Sequence, residues 1–337
     1  MTTMKYEAKD YKSGQLVRWC PGCGDFGVLS SVHKAMSEIG VAPHNIAMIS
    51  GIGCSSRMTY YMNTYGFHTI HGRAAAIATG VKTANPDLSV WVATGDGDCL
   101  AIGGNHFIHA VRRNVDINIL LMNNKIYGLT KGQYSPTSSR GFVCKSSPYG
   151  TVEDPFRPAE LTIGARGQFF ARIIDSDIKN APDILKQAAN HKGTSVVEVI
   201  LNCVIFNDRI NESITSKDVR SDRTISLVHG EKMIFGKDNN KGIVREGFNL
   251  KAITIGEGGY TLGDVLVHDA TTTDPTVHLK LALMDGNELP VALGVIRSVD
   301  APVYDEEVKK QIANVQAKKS TRTLKEFLMA GDVWEIK

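Results

Sequence analysis

Apolar residues recur along this chain in two rhythms. Short unbroken apolar runs that end at glycine or polar turns read as buried strands. Ile46 to Ile49, Val90 to Thr94, Ile117 to Met122 and Ser195 to Leu201 are of this kind. Between them lie segments with apolar side chains at helical spacing. Phe26 to Ile39 is one, with Asp25 as a plausible N-cap and Gly40 as its stop. Ala74 to Ala84, Leu100 to Arg113 (through Leu100, Phe107, Ile108 and Val111) and Pro182 to Asn190 are others. Strand alternating with helix predicts an α/β fold, a doubly wound and mostly parallel sheet. Such sheets bind ligands beyond the carboxyl ends of their strands.

The polar segments add to this plan. Tyr127 to Pro158 is rich in Gly, Ser, Thr and Pro. Long loops of that kind are usually functional, so this one is expected to cover a ligand. Beyond Cys203 the rhythm changes. Asp208 to Asp222 is charged, Lys237 to Lys241 reads as an exposed turn, and Val303 to Leu328 reads as helix through Val308, Ile312, Val315, Leu324 and Leu328. The expected division is a ligand-binding domain over 1–208 and a C-terminal extension over 209–337. The extension is expected to pack on the domain or on a partner, without catalytic residues of its own.

Composition narrows the function classes. Hydrophobic residues at 42% and charged residues at 22% are those of a soluble globular protein. A net charge of +3, without a basic stripe, argues against nucleic acid. Met1 to Lys12 is polar and no apolar run is long enough to span a bilayer, so no membrane association and a cytoplasmic setting are expected. Disulfides are disfavoured there. Cys20-Pro21-Gly22-Cys23 is then a ligand knuckle or a redox pair. A knuckle supplies two ligands where zinc or an iron–sulfur cluster needs four. Cys54 and Cys203 both follow strand-like runs, so they and the knuckle converge if those strands share one sheet edge. The knuckle alone suits zinc as well as iron. Cys99 reads as a small buried residue and Cys144 as a free thiol in a loop. A second polar pairing is Gly95-Asp96-Gly97 with Asn123-Asn124, each closing a strand. An acidic turn beside an amide turn suits Mg²⁺ bridging to phosphate oxygens.

That pairing resembles the thiamine diphosphate motif. The resemblance implies that Asp96, Asn124 and the carbonyl of Ile126 hold Mg²⁺, and that Gly97 and Asp98 lie against the diphosphate at a helix N-terminus. Five blocks extend it: Trp19-Cys20-Pro21-Gly22-Cys23-Gly24, Gly51-Ile52-Gly53-Cys54-Ser55, His71-Gly72-Arg73-Ala74, Gly95-Asp96-Gly97-Asp98 and Lys131-Gly132-Gln133-Tyr134-Ser135-Pro136-Thr137. From about Val17 to Asp208 they resemble the β subunit of a 2-oxoacid:ferredoxin oxidoreductase, most of all its 2-oxoglutarate branch. The resemblance implies a diphosphate-domain fold of the thiamine diphosphate-binding type. It implies one [4Fe–4S] cluster on Cys20, Cys23, Cys54 and Cys203, and cofactor contacts from Ile52, Gly53, Cys54, Ser55, His71, Gly97, Asp98, Gly128 and Leu129. Lys131 matches a position that faces the 2-oxoacid, and Arg57 stands where some members carry a substrate-side lysine.

The implied activity is coenzyme A-dependent oxidative decarboxylation of 2-oxoglutarate to succinyl-CoA and CO2, with electrons passing through the cluster to ferredoxin. Pyruvate or another 2-oxoacid is the alternative substrate. Among the motif blocks no glutamate stands in an apolar strand or helix suited to activating the cofactor, and Glu38 reads as solvated. The activating glutamate is therefore expected from an α subunit, in a heterodimer that is inactive without it. A reading of another class is a zinc-stabilised, nucleotide-binding regulatory module, with the knuckle structural and the Gly-Asp-Gly turn on phosphate.

Overall fold

The computed structural model describes residues 5–318 and 323–336. The four apolar runs all become strands: β1 (Ile46–Ser50), β3 (Ser89–Gly95), β4 (Asn118–Asn123) and β6 (Ser195–Ile200), with β2 (Tyr65–His68) and β5 (Phe169–Ile174) between them. Later come β7 (Thr224–Leu227), β8 (Ile234–Phe235), β9 (Lys241–Glu246), β10 (Asn249–Thr254) and β11 (Val291–Ser298). Eight strands form one sheet in the order β2-β1-β3-β4-β6-β5-β11-β7, and β10-β9-β8 form a small second sheet. Every neighbouring pair in the large sheet is parallel except β5 with β11. This is the doubly wound, mostly parallel sheet that the alternation predicts.

Both faces are covered. Ile119 and Leu121 of β4 join an apolar cluster with Ala78, Phe107, Ile163 and Leu281 from four helices, Ala74–Ala84, Gly104–Arg113, Pro158–Gly164 and Thr276–Leu283. Leu120 and Met122 point the other way, to Val32 and Met36 of helix Asp25–Ile39 and Leu185 of helix Ala181–Asn190. All six residues of β4 are buried. Each such Leu or Ile contributes about 1.5–3 kcal/mol, which fixes the register of the central strands.

That register aligns the strand ends. Gly95 lies opposite Met122, and Asn123 lies opposite Ile200. The segments after β3, β4 and β6 therefore leave one edge together, carrying Asp96, Asn124 and Cys203.

Several elements differ from the expected pattern. The chain from Leu100 to Arg113 is not one helix: Asp98–Ile102 is a wide π-type turn, with Gly103 N donating to Asp98 O at 3.1 Å, and the α-helix starts at Gly104. Gly103 there packs against the backbone of Gly72, where a Cβ would lie 3.0 Å from Gly72 Cα. The N-cap of the first helix is Gly24, and Asp25 is its buried first residue. The large sheet takes strands from both sides of residue 208, since β7 and β11 come from the C-terminal part. The expected helix Val303–Leu328 is seen as Tyr304–Lys318 and Leu324–Leu328; residues 319–322 lie outside the described residues. No helix among the described residues is long and apolar enough to cross a membrane.

Candidate functional site

The site starts where β3 ends. Asp96 is buried, and its Oδ2 accepts from Ser135 Oγ and Thr137 Oγ1, both at 2.5 Å. Burial pushes its pKa up, while the two hydroxyls and the Gly97 amide pull it back. Gly97 has no room for a Cβ because the Tyr127 ring lies on it, and Tyr127 Oη donates to Gly97 O at 3.0 Å. Asp98 turns its carboxylate inward, accepting from Gly72 N at 2.7 Å and Thr94 Oγ1 at 3.0 Å. Its charge thus holds the turn after β2. Arg73 Nη1 donates to the His71 carbonyl at 3.0 Å.

After β4 the two amides part. Asn124 Oδ1 accepts from Ile126 N at 3.1 Å. Asn123 turns the other way and donates from Nδ2 to Glu198 Oε1 at 2.8 Å.

One cavity of about 150 Å³ gathers these turns. Its wall comes from four strand ends: Ile52, Gly53, Cys54 and Ser55 after β1, His71 after β2, Asp96, Gly97 and Asp98 after β3, and Asn124, Ile126, Gly128 and Leu129 after β4. Two candidates stand outside that wall. Lys131 lies on the rim, just past Thr130, in a tight turn closed by Gly132 N to Tyr127 O and Tyr127 N to Gln133 O. Its backbone is left-handed, with φ of 77°, a strain that non-glycine residues hold only when their surroundings enforce it. Arg57 sits half-buried in the turn after Cys54.

The cysteines gather at the same end. The knuckle is tied to the segment after β6 by Gly24 N donating to Asn202 O at 3.4 Å, next to Cys203. Trp19 Nε1 donates to Cys54 O at 2.6 Å and links the knuckle to the turn after β1. Cys54 and Cys203 flank Gly128, where a Cβ would lie 3.7 and 3.5 Å from their sulfurs. Burial pushes the Cys54 thiol up to about 11, with Asp25, Cys203 and Cys20 adding to it. Burial also raises Cys23, whose Sγ lies 3.5 Å from Asp25 Oδ2. Among the described residues, no three His, Cys, Asp or Glu side chains converge at metal-ligand spacing. Cys99 is buried and Cys144 is a free thiol in its loop.

The donor sets nevertheless suit the implied groups. Asp96, Asn124 Oδ1 and the Ile126 carbonyl are hard oxygens at the mouth of a phosphate-sized turn, as Mg²⁺ prefers. Two sulfurs, of Cys54 and Cys203, face a glycine without a side chain, and a metal bound there would displace the protons that burial favours on the Cys54 and Cys23 thiols.

Comparison with known proteins agrees with this geometry. The family model described as thiamine pyrophosphate enzyme, C-terminal TPP binding domain, matches residues 47–199. The 2-oxoglutarate oxidoreductase subunit KorB of Mycobacterium tuberculosis is 45% identical over 338 residues, covering 99% of this chain and 90% of that one. The chain belongs to the β subunits of the 2-oxoacid:ferredoxin oxidoreductases. Subunit beta of 2-oxoacid:ferredoxin oxidoreductase 1 of Aeropyrum pernix is 49% identical over 56% of this chain and 60% of its own. Among solved structures, 2-oxoglutarate:ferredoxin oxidoreductase from Magnetococcus marinus, with 2-oxoglutarate, coenzyme A and succinyl-CoA bound, aligns with a TM-score of 0.77 at 33% identity, over 98% of this chain and 97% of that one.

Some residues of this oxidoreductase subunit are invisible in the sequence pattern. Asp25 lines the cavity fully buried, and burial pushes its carboxyl up to about 7. Its only signal is its place directly after the knuckle. Ser135 and Thr137 lie within the Lys131–Thr137 block, yet nothing in the spacing says that they reach Asp96. Glu198 is a glutamate in a mainly apolar strand outside the motif blocks. It is buried in β6, but it faces Asn123 and Arg172 and does not line the cofactor cavity.

Proposed function

We propose that this chain is the cofactor-binding β subunit of an enzyme that oxidatively decarboxylates 2-oxoglutarate with coenzyme A to succinyl-CoA and CO2, with ferredoxin as electron acceptor. One observation carries the reading: a single cavity joins the Asp96–Asn124–Ile126 oxygens to Cys54, with Cys203 against the same wall at Gly128. Bound thiamine diphosphate would supply an electron sink for decarboxylation, and a [4Fe–4S] cluster would supply one-electron chemistry. Asp96, Asn124 and the Ile126 carbonyl would hold Mg²⁺. Cys20, Cys23, Cys54 and Cys203 would hold the cluster. The missing side chain at Gly97 makes room for the Tyr127 ring, and the one at Gly128 leaves space beside the Cys54 and Cys203 sulfurs. Lys131, held on the rim, would meet a substrate carboxylate, with Arg57 behind it. The substrate follows the relatives whose names include 2-oxoglutarate.

The chain forms half of a site. Small-molecule pockets run to about 300–1,000 Å³, and the cavity here is about 150 Å³. No glutamate lines it among the described residues. Its mouth carries exposed Ile102 and Leu129, and nearby the edge strand β2 exposes Tyr65 and Phe67, followed by Ile70. Exposed apolar surface on a sheet edge marks an interaction face. An α subunit would cover this face and bring the activating glutamate.

The test is coenzyme A-dependent reduction of viologen by the chain co-purified with its α subunit, with 2-oxoglutarate and pyruvate in parallel. Activity with 2-oxoglutarate is expected, and preference for pyruvate would overturn the substrate. A colourless, zinc-loaded chain without iron or sulfide would favour the regulatory-module reading.

A further inference from the structure

A second cavity, of about 270 Å³, lies on the face of the sheet that Asn123 and Glu198 address. Its floor is the Arg172–Glu198 ion pair, Nε to Oε2 at 2.7 Å, with the two side chains only 7% and 5% exposed. The remaining guanidinium nitrogens reach the Ala292 and Ala282 carbonyls at 3.2 and 3.4 Å. The charge of Glu198 is thus already balanced. Asp285, also in the lining, accepts from Asn287 N and Nδ2 at 3.0 and 3.1 Å and keeps its negative charge.

Two cations in the lining have no ion-pair partner among the described residues, against the one remaining carboxylate of Asp285. Lys125 is half-buried, and no hydrogen bond or ion pair engages its ammonium among the described residues. Its backbone is pinned in a left-handed conformation, φ 56°, by Ser138 Oγ donating to its carbonyl at 2.7 Å. Arg157 stands exposed in the lining, its guanidinium donating to the Leu283 carbonyl at 3.2 Å and forming no ion pair among the described residues. Glu198 and Asp96 act on the Lys125 ammonium only at a distance; a partly buried ammonium without a direct partner is unfavourable, and an anion between Lys125 and Arg157 reduces that cost. The volume is just below the range of drug-sized pockets, so the ligand is small.

We propose that this cavity binds a small anionic oxygen ligand, a phosphate or a carboxylate, seated between Lys125 and Arg157. The site is wired to the cofactor turn. Glu198 Oε1 accepts from Asn123 Nδ2 at 2.8 Å, and Thr137 Oγ1 lies 2.9 Å from Asn123 Oδ1 and 2.5 Å from Asp96 Oδ2. Thr137 has one proton for two acceptors, so a shift at Glu198 changes what Asp96 receives. Anion occupancy and Mg²⁺ affinity are therefore coupled, and by linkage each changes the other by the same factor. This coupling rests on Asp96 being a Mg²⁺ ligand; the anion site does not.

The test is calorimetric titration of the full chain at constant ionic strength, with thiamine diphosphate and Mg²⁺ saturating so that the diphosphate turn is filled. Inorganic phosphate and malonate are titrated separately, and the anion that binds identifies the source. Lys125→Met is expected to weaken that binding by about tenfold or more, and Arg157→Gln by less. Binding that is absent at millimolar anion, or unchanged in both variants, overturns the site. Should Lys125→Met fail to fold by circular dichroism, Arg157→Gln, in the exposed part of the lining, decides alone. For the coupling, Mg²⁺ affinity with and without the anion is measured in the native chain and in Thr137→Val. A shift that disappears in Thr137→Val is expected, and no shift in the native chain overturns the coupling. Asp96→Asn separates the two readings: unchanged Mg²⁺ affinity there removes the Asp96 assignment while anion binding stands.

Discussion

Asp96 and Cys203 carry the sharpest consequences of single side chains. Asp96 is a buried acid held by two hydroxyls, a placement that costs desolvation unless a cation offsets it. Asp96→Asn is expected to fold as well as the native chain and to lose Mg²⁺-dependent thiamine diphosphate binding by about tenfold or more, read by calorimetry. Retained binding would falsify the metal assignment. Cys203→Ser should lose iron and sulfide after anaerobic reconstitution, while Cys144→Ser, in its own loop, keeps both; equal iron in the two variants removes Cys203 from the cluster. At this scale much was legible. Asp96, Asn124, Cys54 and Cys203 are marked by polar turns that follow strand-like runs, and the structure brings those turns to one edge. Asp25, Ser135 and Thr137 were not, because a short polar residue in a loop carries no sign of what it will face.

At the scale of elements, strands β5 and β6 meet through Arg172 and Glu198, buried in otherwise apolar runs. Removing one partner leaves a charge with no counterion. Arg172→Met is expected to cost about 3–5 kcal/mol in urea unfolding. The double change Arg172→Met with Glu198→Met should cost less than the single one; a double variant that is worse would show that packing, and not charge, is lost. Near β11, His278 is buried, with Nδ1 2.9 Å from Arg297 Nη1 and Nε2 2.8 Å from the Asp269 carbonyl. Burial first, then Arg297, holds its pKa below the ordinary 6.5, and burial lowers His268 beside it. The unfolded chain therefore takes up protons below pH 6.5 that the folded chain refuses. Stability from these histidines is complete above that pH and is lost as pH falls through the lower, folded values. The urea midpoint should fall on acidification below pH 6.5, and His278→Gln should flatten part of that slope; an unchanged slope would exclude His278 as its source. The strands β1, β3, β4 and β6 were legible because each is a mainly apolar run, rich in β-branched or long aliphatic residues, that closes at a polar turn. The edge strand β2 is exposed throughout and β5 is broken by Arg172, so neither shows the pattern of a buried strand.

For the whole molecule, the decisive quantity is how little of the cofactor cavity one chain encloses. The chain alone, reconstituted with cluster, thiamine diphosphate and Mg²⁺, is expected to show no 2-oxoglutarate oxidation, and activity should appear on adding the α subunit. Turnover by the single chain would overturn the half-site reading. The sequence by itself determined the alternation of strand and helix and the polar turns that close the strands, since both are written in neighbouring residues. Only the tertiary structure decided that β6 lies between β4 and β5, that β11 and β7 complete the sheet, and that Cys54 and Cys203 share Gly128. It alone set Glu198 against Arg172 and joined Thr137 to Asp96. Those contacts link residues far apart in the chain, and strand order and loop closure, which local periodicity does not encode, bring them together.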